Sequence, residues 1–363
     1  MPQLRHVLLP LFLCCANAVG AQAQATLHLQ LAHRIHPGDA LPSAIGNVAQ
    51  LTVTDDGAVF VAEQKPARVT LYDRNGEFDR VVMAPGEGPG EVRDASIAAQ
   101  GNAVLVYDNA LTRLTWLSSD GKVVGSRRMD AYTIGGAIYL TRDGRAIVDA
   151  SMPNPAWNGG FLRAGRSGPI DSVVWSHPAT EDLTIEWRWP HGVLKARTPF
   201  APDGVETVDP AGHLVIGGSK RSQWVVVDGH DTITRVSFPD HAVRIPTKER
   251  DSVWTAWFSH LPKLPDIDKV VRKDLIPTTL PPWVTFNVDQ AGRWWIGRPL
   301  SNGALGSWDV VSDGKVIGHI AVPTAIVRAT NGRPLMVFGS QFVALMHEDE
   351  SGEPWIGVYR IVR

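Results

Sequence analysis

A chain of 363 residues, 44% apolar and 20% charged, has globular composition and is long enough for one large domain or two average ones. Its 35 basic and 37 acidic side chains nearly balance, so no polyanion-binding field arises and nucleic acid is not expected as a partner. Glycine (34) and proline (26) together exceed their usual share without reaching the low-complexity range, which signals many turns and not disorder.

Residues 1–25 read as a secretory signal. Arg5 and His6 supply a positive start, Val7 to Cys15 a short apolar stretch, and Ala21-Gln22-Ala23 and Ala23-Gln24-Ala25 two cleavage options. That stretch is too short to span a bilayer and no later run approaches the length required, so no transmembrane segment is expected. The expected location is periplasmic or extracellular. Lipidation fits poorly, because Leu13 stands before Cys14 where a lipoprotein signal carries a small residue. The chain's 2 cysteines fall inside this segment, so the mature protein has no disulfide, thiol nucleophile or thiolate metal ligand.

From residue 26 onward one unit recurs: an apolar run, a turn with glycine, then about five β-formers. Its copies hold turn glycines at Gly57, Gly101, Gly144, Gly212, Gly292 and Gly339, at intervals of 44, 43, 68, 80 and 47. Three intervals match a four-stranded blade, and two are that length plus an insertion. A second hairpin follows within most units, as in Arg68–Gly76 and Arg113–Gly121, where Asn-Gly and Asp-Gly supply the positive φ of tight turns. The expectation is an all-β fold, a six-bladed β-propeller of four-stranded antiparallel blades over 26–363. After Gly339 only two strands fit, so the alternating segment 26–36 is expected to supply the outer strand that closes the last blade.

The run Asp56-Gly57-x-Val-Phe-Val-x-Glu63, followed by Arg68-Val-x-Leu-Tyr-Asp-x-Asn-Gly76, resembles an NHL-type blade. The link Gly86-Glu-Gly-Pro-Gly-Glu-Val92 and the ending Trp355–Ile361 are similar to those of exported bacterial propellers of the NHL/TolB-like superfamily. Val92 stands where an aromatic is usual, and the Arg-Val strand pattern fades in blades three and four. The resemblance implies a fold; members carry unrelated functions.

In such a blade the first and third turns share one face, while second-to-third loops and inter-blade links share the other. The long insertions, Ser151–Ile170, His177–Phe200 and Pro246–Pro277, therefore crowd one face over blades three to five. Within 246–277, Val253, Trp254, Trp257, Phe258, Leu261 and Leu264 recur at helical spacing, with Thr247 as cap and Glu249 in the first turn. This predicts a short helix packed over the propeller between blades four and five. Tryptophans concentrate nearby (157, 175, 187, 189, 254, 257, 283, 294 and 295). Most are expected to pack blade against blade, but Trp157, Trp187 and Trp189 sit in insertions, where a flat ring suits stacking on a ligand. Arg188 and Arg298 complete the candidate ligand-binding set.

Glu63, Asp108 and Asp149 each end a second strand. Glu63 precedes Arg68 by five and Asp108 precedes Arg113 by five, which predicts a loop-bracing ion pair repeated in successive blades. No G-x-S-x-G elbow, H-E-x-x-H helix, P-loop or EF-hand loop appears. One enzymatic alternative survives, implied by resemblance to calcium-dependent lactonases. There Glu63, Asp108, Asn109 and Asp149 would offer oxygens to a hard cation at the tunnel mouth, giving a lactonase- or esterase-like hydrolase. The preferred expectation is a non-catalytic, cofactor-free binding module for a carbohydrate, a small ligand or an envelope protein.

Overall fold

The structure is a computed structural model that describes residues 27–36, 48–130, 132–151, 160–173, 184–189, 192–201, 204–220, 222–229, 231–238, 242–263, 266–323, 326–327 and 334–363. At 133–136, 151, 171–173, 184–187, 189, 194–197 and 268 the description is of the backbone alone. The expected signal at 1–25 and Trp157 lie outside these residues.

The chain forms a six-bladed β-propeller. The first strand, β1 (His28–Ile35), belongs to the last blade. Blade one is β2 (Val48–Val53), β3 (Val59–Gln64), β4 (Ala67–Tyr72) and β5 (Phe78–Pro85), with a two-residue strand, β6 (Glu91–Val92), added in parallel along β5. Blade two is β7 (Ala95–Gln100), β8 (Ala103–Asp108), β9 (Arg113–Ser118) and β10 (Val123–Arg128). Blade three is β11 (Thr133–Leu140), β12 (Ala146–Ser151), β13 (Gly160–Ala164) and β14 (Ile170–Val173). A separate hairpin follows, β15 (Thr184–Trp189) with β16 (Gly192–Arg197).

Blade four is β17 (Gly204–Val208), β18 (Leu214–Gly218), β19 (Gln223–Asp228) and β20 (Asp231–Ser237). The next insertion is pinched at its base by β21 (Val243–Arg244) pairing with β22 (Thr279–Leu280); between them lie α1 (Thr247–His260) and the single turn α2 (Ile267–Val270). Blade five is β23 (Thr285–Val288), β24 (Trp294–Pro299), β25 (Leu305–Ser312) and β26 (Lys315–Ala321). Blade six is β27 (Met336–Phe338), β28 (Phe342–Glu348) and β29 (Pro354–Val362), with β1 paired antiparallel outside β29.

The ring is held by six apolar clusters, one at each seam between blades. Phe60, Met83, Val92 and Leu117 join blades one and two, and Trp116, Ile138 and Leu162 join two and three. Phe161, Val208 and Leu214 join three and four; Trp224, Trp283, Phe286 and Ile296 join four and five. Trp295, Trp308, Phe338 and Tyr359 join five and six, while Ile35, Leu51, Phe342 and Ile356 join six back to one. Trp116 adds a polar tie, donating its indole N–H to the Gly144 carbonyl in the next blade at 3.0 Å.

The inner hairpins owe their shape to one local device. Thr54, Thr141, Asp209 and Asp289 open turns whose glycines, Gly57, Gly144, Gly212 and Gly292, return an N–H to the opening carbonyl and sit at φ of +91, +80, +94 and +89. L-residues pay for that conformation and glycine does not, which is why the repeat shows through its glycines.

The closing strand departs from plain alternation. Between Leu31 and His33 the register slips by one residue, so Leu31 turns outward while Leu27 and Ile35 stay buried. His33 is set against the Asp73–Glu77 turn of blade one: a Cβ on Gly76 would come within 2.6 Å of its ring. Burial pushes the His33 imidazole below its ordinary value, against the pull of Asp73. The folded state thus favours the neutral ring. The associated stability is complete above the unfolded pKa and is lost as pH falls through the folded one. Urea midpoints measured at pH 7 and pH 5 should drop less on acidification in His33→Gln than in the native chain.

Helix α1 corrects one expectation. Pro246 occupies the N-cap position, Thr247 is the first helical residue, and no side chain caps the start. The helix has no buried residue; Val253, Trp254, Trp257 and Phe258 are half-buried, with the Trp254 and Phe258 rings stacked at 5.1 Å. Leu264 lies outside the described residues.

Candidate functional site

The inner strands of all six blades enclose a central cavity of about 190 Å³. Its wall is polar and apolar in equal measure: Leu51, Ile97, Ile138, Val337 and Phe338 supply apolar surface, and Thr52, Thr207 and Asn287 are neutral polar groups. Thr52 is 1% exposed and its hydroxyl has no hydrogen-bond partner.

One residue bridges three blades on the tight-turn side of the cavity. Gln290 follows Asp289 in the blade-five turn and reaches across to blades one and two. Its Nε2 donates to the Val53 carbonyl at 2.8 Å, and its Oε1 accepts from the Gly101 N–H at 2.9 Å. The Gln290 carbonyl accepts from Gln100 Nε2 at 3.1 Å. Neighbouring turns are tied in the same ring: Arg293 donates to the Ser340 carbonyl, Ser340 bonds Asp55, and Asp55 N donates to the Gly101 carbonyl. Asp289 is fully engaged by its own turn, accepting from Ala291 N, Arg293 N, Arg293 Nε and Trp295 Nε1. Burial pushes its carboxyl up, with Arg293 pulling the other way. Gln290→Ala leaves Val53 O and Gly101 N without their partners, so a loss of about 2–4 kcal/mol is expected in a denaturant titration. An unchanged midpoint would show that water replaces the side chain at no cost.

The opposite side carries the insertions. There Glu63 forms a bidentate pair with Arg68, through Nε to Oε2 and through Nη2 to Oε1 at 2.9 Å, and Thr70 donates to Oε2 at 3.2 Å. Blade two does not repeat this pair. Asp108 caps its own loop, Oδ1 accepting from Ala110 N and Leu111 N and Oδ2 from Arg93 N. Arg113 instead clamps the inter-blade link, donating to the Glu87 and Glu91 carbonyls. The equal spacing survives because Asp108 and Arg113 are cross-strand neighbours; the link beside them redirected both side chains.

In that link Glu91 folds back to accept from Gly88 N at 2.7 Å, lying where a Gly86 Cβ would stand, 2.1 Å from its Oε2. Blade five reverses the charges: Arg298 donates to Asp309 Oδ2 at 2.6 Å and to the Pro282 carbonyl at 2.8 Å, while His319 bonds Asp309 Oδ1 at 2.6 Å. Arg298 therefore braces its own blade against the helical insertion.

Asn109 is exposed and donates its backbone N–H to the Asp94 carbonyl at 2.9 Å; Asp149 is half-buried on β12, in register with Phe161. Among the described residues no group of three or more His, Cys, Asp or Glu side chains could hold a metal ion, so Glu63, Asp108 and Asp149 are not brought together. Glu63 spends its oxygens within its own blade, and Asp108 on its own loop and on Arg93 N of the inter-blade link.

The β15–β16 hairpin pairs with no blade strand among the described residues and lies against α2. Trp187 stands opposite Leu194, Arg188 opposite Val193 and Trp189 opposite Gly192. Arg188 and Val193 are exposed, Val193 to 46%. From the same link, the Phe200 ring presses on Gly303 in blade five, where a Cβ would come within 2.7 Å of it. Of the other tryptophans, Trp283 and Trp295 are buried in blade seams, whereas Trp294 is half-buried.

No protein-family model matches the chain, and no curated protein matches it in sequence. Solved structures match it in fold. One is a Bacteroides fragilis protein described as a candidate exported protein, 11% identical with a TM-score of 0.51, the match covering 94% of this chain and 97% of that one. Another is a Bacteroides vulgatus member of the DUF4221 family, 11% identical with a TM-score of 0.51, covering 94% of this chain and 99% of that one. Virginiamycin B lyase from Staphylococcus aureus is 12% identical, with a TM-score of 0.43 over 93% of this chain and 100% of its own. At such identities the likeness is one of fold and carries no chemistry to this chain. No helix among the described residues is long and apolar enough to cross a membrane.

Proposed function

We propose that the protein is an exported propeller that binds a carbohydrate, a small ligand or an envelope protein at its insertion-bearing face and does not transform it. The observation that carries this reading is the Gln290 bridge across the tight-turn side of the central cavity, which favours approach from the face that strand order gives to the insertions. The β15–β16 hairpin supports it further, with Arg188 and Val193 exposed and two unpaired strand edges. Export rests on the signal-like residues 1–25, and kinship with NHL/TolB-like propellers on the Gly86–Val92 link.

A thermal-shift scan of residues 26–363 against soluble glycans, calcium and EDTA tests the reading. A ligand at 100 times its dissociation constant adds about 2.7 kcal/mol. A ligand-induced shift that disappears in Trp187→Ala/Trp189→Ala supports it. A calcium shift reversed by EDTA, with hydrolysis lost in Asp149→Ala, would replace it with the calcium-dependent hydrolase.

A further inference from the structure

A second cavity, of about 590 Å³, opens at the seam between blades four and five, away from the central channel. One wall is the outer strand of blade four, Thr234 to Ser237; the other is built by Gly292, Trp294, Val311, Asp313 and Gly314 of blade five. Its size falls in the range that encloses small organic ligands.

Trp294 supplies a fixed apolar platform. Its half-buried ring rests on Phe286 at 5.6 Å and 77°, on Trp224 at 6.2 Å and 53°, and on Phe238 at 6.5 Å and 81°. Behind it Trp224 stacks on Phe286 at 5.3 Å and on Trp283 at 5.6 Å. A ring wedged among three others cannot turn away, so a ligand stacking on it pays little ordering entropy.

Polar groups surround that platform. The Thr234 hydroxyl and the Trp294 indole N–H have no hydrogen-bond partner among the described residues. Thr234 pairs with Val226 and shares its face toward blade five, whereas Arg235 and Ser237 pair with Val225 and Gln223 on the other face and lend the cleft only their backbone. Asp313, in the β25–β26 turn at φ +50, accepts one bond from Ser312 Oγ at 3.1 Å. Above Gly292 and Gly314 the space is open, since a Cβ on either would meet no atom within 4 Å. The cavity therefore offers one flat apolar face, one anion, one hydroxyl, one indole N–H and stretches of bare backbone.

We propose that this cleft is a carbohydrate-binding site for neutral pyranose units, distinct from the insertion face. A pyranose has an apolar face of axial C–H groups, which suits the indole, and a rim of hydroxyls that both donate and accept. Asp313 accepts from that rim, and the Thr234 hydroxyl and the indole N–H donate to it. Asp313 is the charged side chain that the cleft presents, which favours an uncharged sugar over an anionic one.

Tryptophan fluorescence of residues 26–363, titrated with maltose, cellobiose and diacetylchitobiose to about 50 mM, reads binding down to a Kd of about 1 mM. At least one sugar should give a saturable change. Thr234→Val, on an exposed strand, and Asp313→Asn, which keeps a residue tolerant of positive φ, should each weaken it at least tenfold with an unchanged melting midpoint. Trp187→Ala/Trp189→Ala should leave it intact. No saturable change with any of the three sugars overturns the proposal, as does binding indifferent to Thr234→Val and Asp313→Asn. Binding lost only in the Trp187/Trp189 variant also overturns it and assigns the sugar to the insertion face.

Discussion

A chain beginning at residue 37 should lose most of the stability of the one beginning at residue 26. It lacks β1, which pairs with β29 from His28↔Val362 to Ile35↔Ile356. It also lacks Leu27 at 3% and Ile35 at 0% exposure, the first in the seam between blades five and six and the second in the seam between six and one. Burying two such side chains is worth about 3–6 kcal/mol, against a total of about 5–15 kcal/mol for a domain. Removal also bares the β29 edge, which then becomes a template for association. Size-exclusion chromatography should show oligomers alongside the lowered melting point. Ile35→Ala isolates the packing share, about 2–5 kcal/mol. If the shortened chain melts with the native midpoint, blade six is stable without its outer strand and the ring does not depend on β1.

Arg68→Ala should cost about 3–5 kcal/mol, because it leaves the Glu63 carboxylate buried and uncompensated. The side chains are 12% and 3% exposed, so water cannot substitute for the guanidinium. The hydrogen bonds it donates to Glu63 hold the Arg68 guanidinium above its ordinary pKa. Glu63 also accepts from Thr70, which is fully buried. Replacing the whole unit by Glu63→Leu, Arg68→Met and Thr70→Val should therefore recover most of the loss, since no buried polar group is left unpaired. Denaturant midpoints of the single and triple variants measure this directly. Equal midpoints for the two would mean that packing, and not an orphaned charge, sets the cost.

These two expectations divide along what is visible in the chain. Five of the six blades were legible in the glycines at 57, 101, 144, 212 and 292, because a tight turn needs positive φ whatever surrounds it; Gly339 stands in the sixth turn without positive φ. Strand alternation and the Glu63–Arg68 spacing were legible for a similar reason: cross-strand neighbours on one hairpin are set by local register. The same spacing misled in blade two, where the Gly86–Val92 link lies beside Asp108 and Arg113 and takes both as partners. Helical period revealed α1 but not its start, since Pro246 already occupies the cap position.

Nothing local marks Gln290 as the bridge across the central cavity. Its partners Val53 and Gly101 lie 237 and 189 residues away, and only ring closure brings them within 3 Å. Nor does spacing show that Arg298 spends its charge on Asp309 and Pro282, or that Trp294 alone among the blade-five tryptophans keeps a face toward solvent. Turn conformation and strand period are covalent, short-range properties and can be read from sequence by itself. Which polar groups end up paired, and which are left to meet a ligand, depends on how six separately encoded blades pack around one axis.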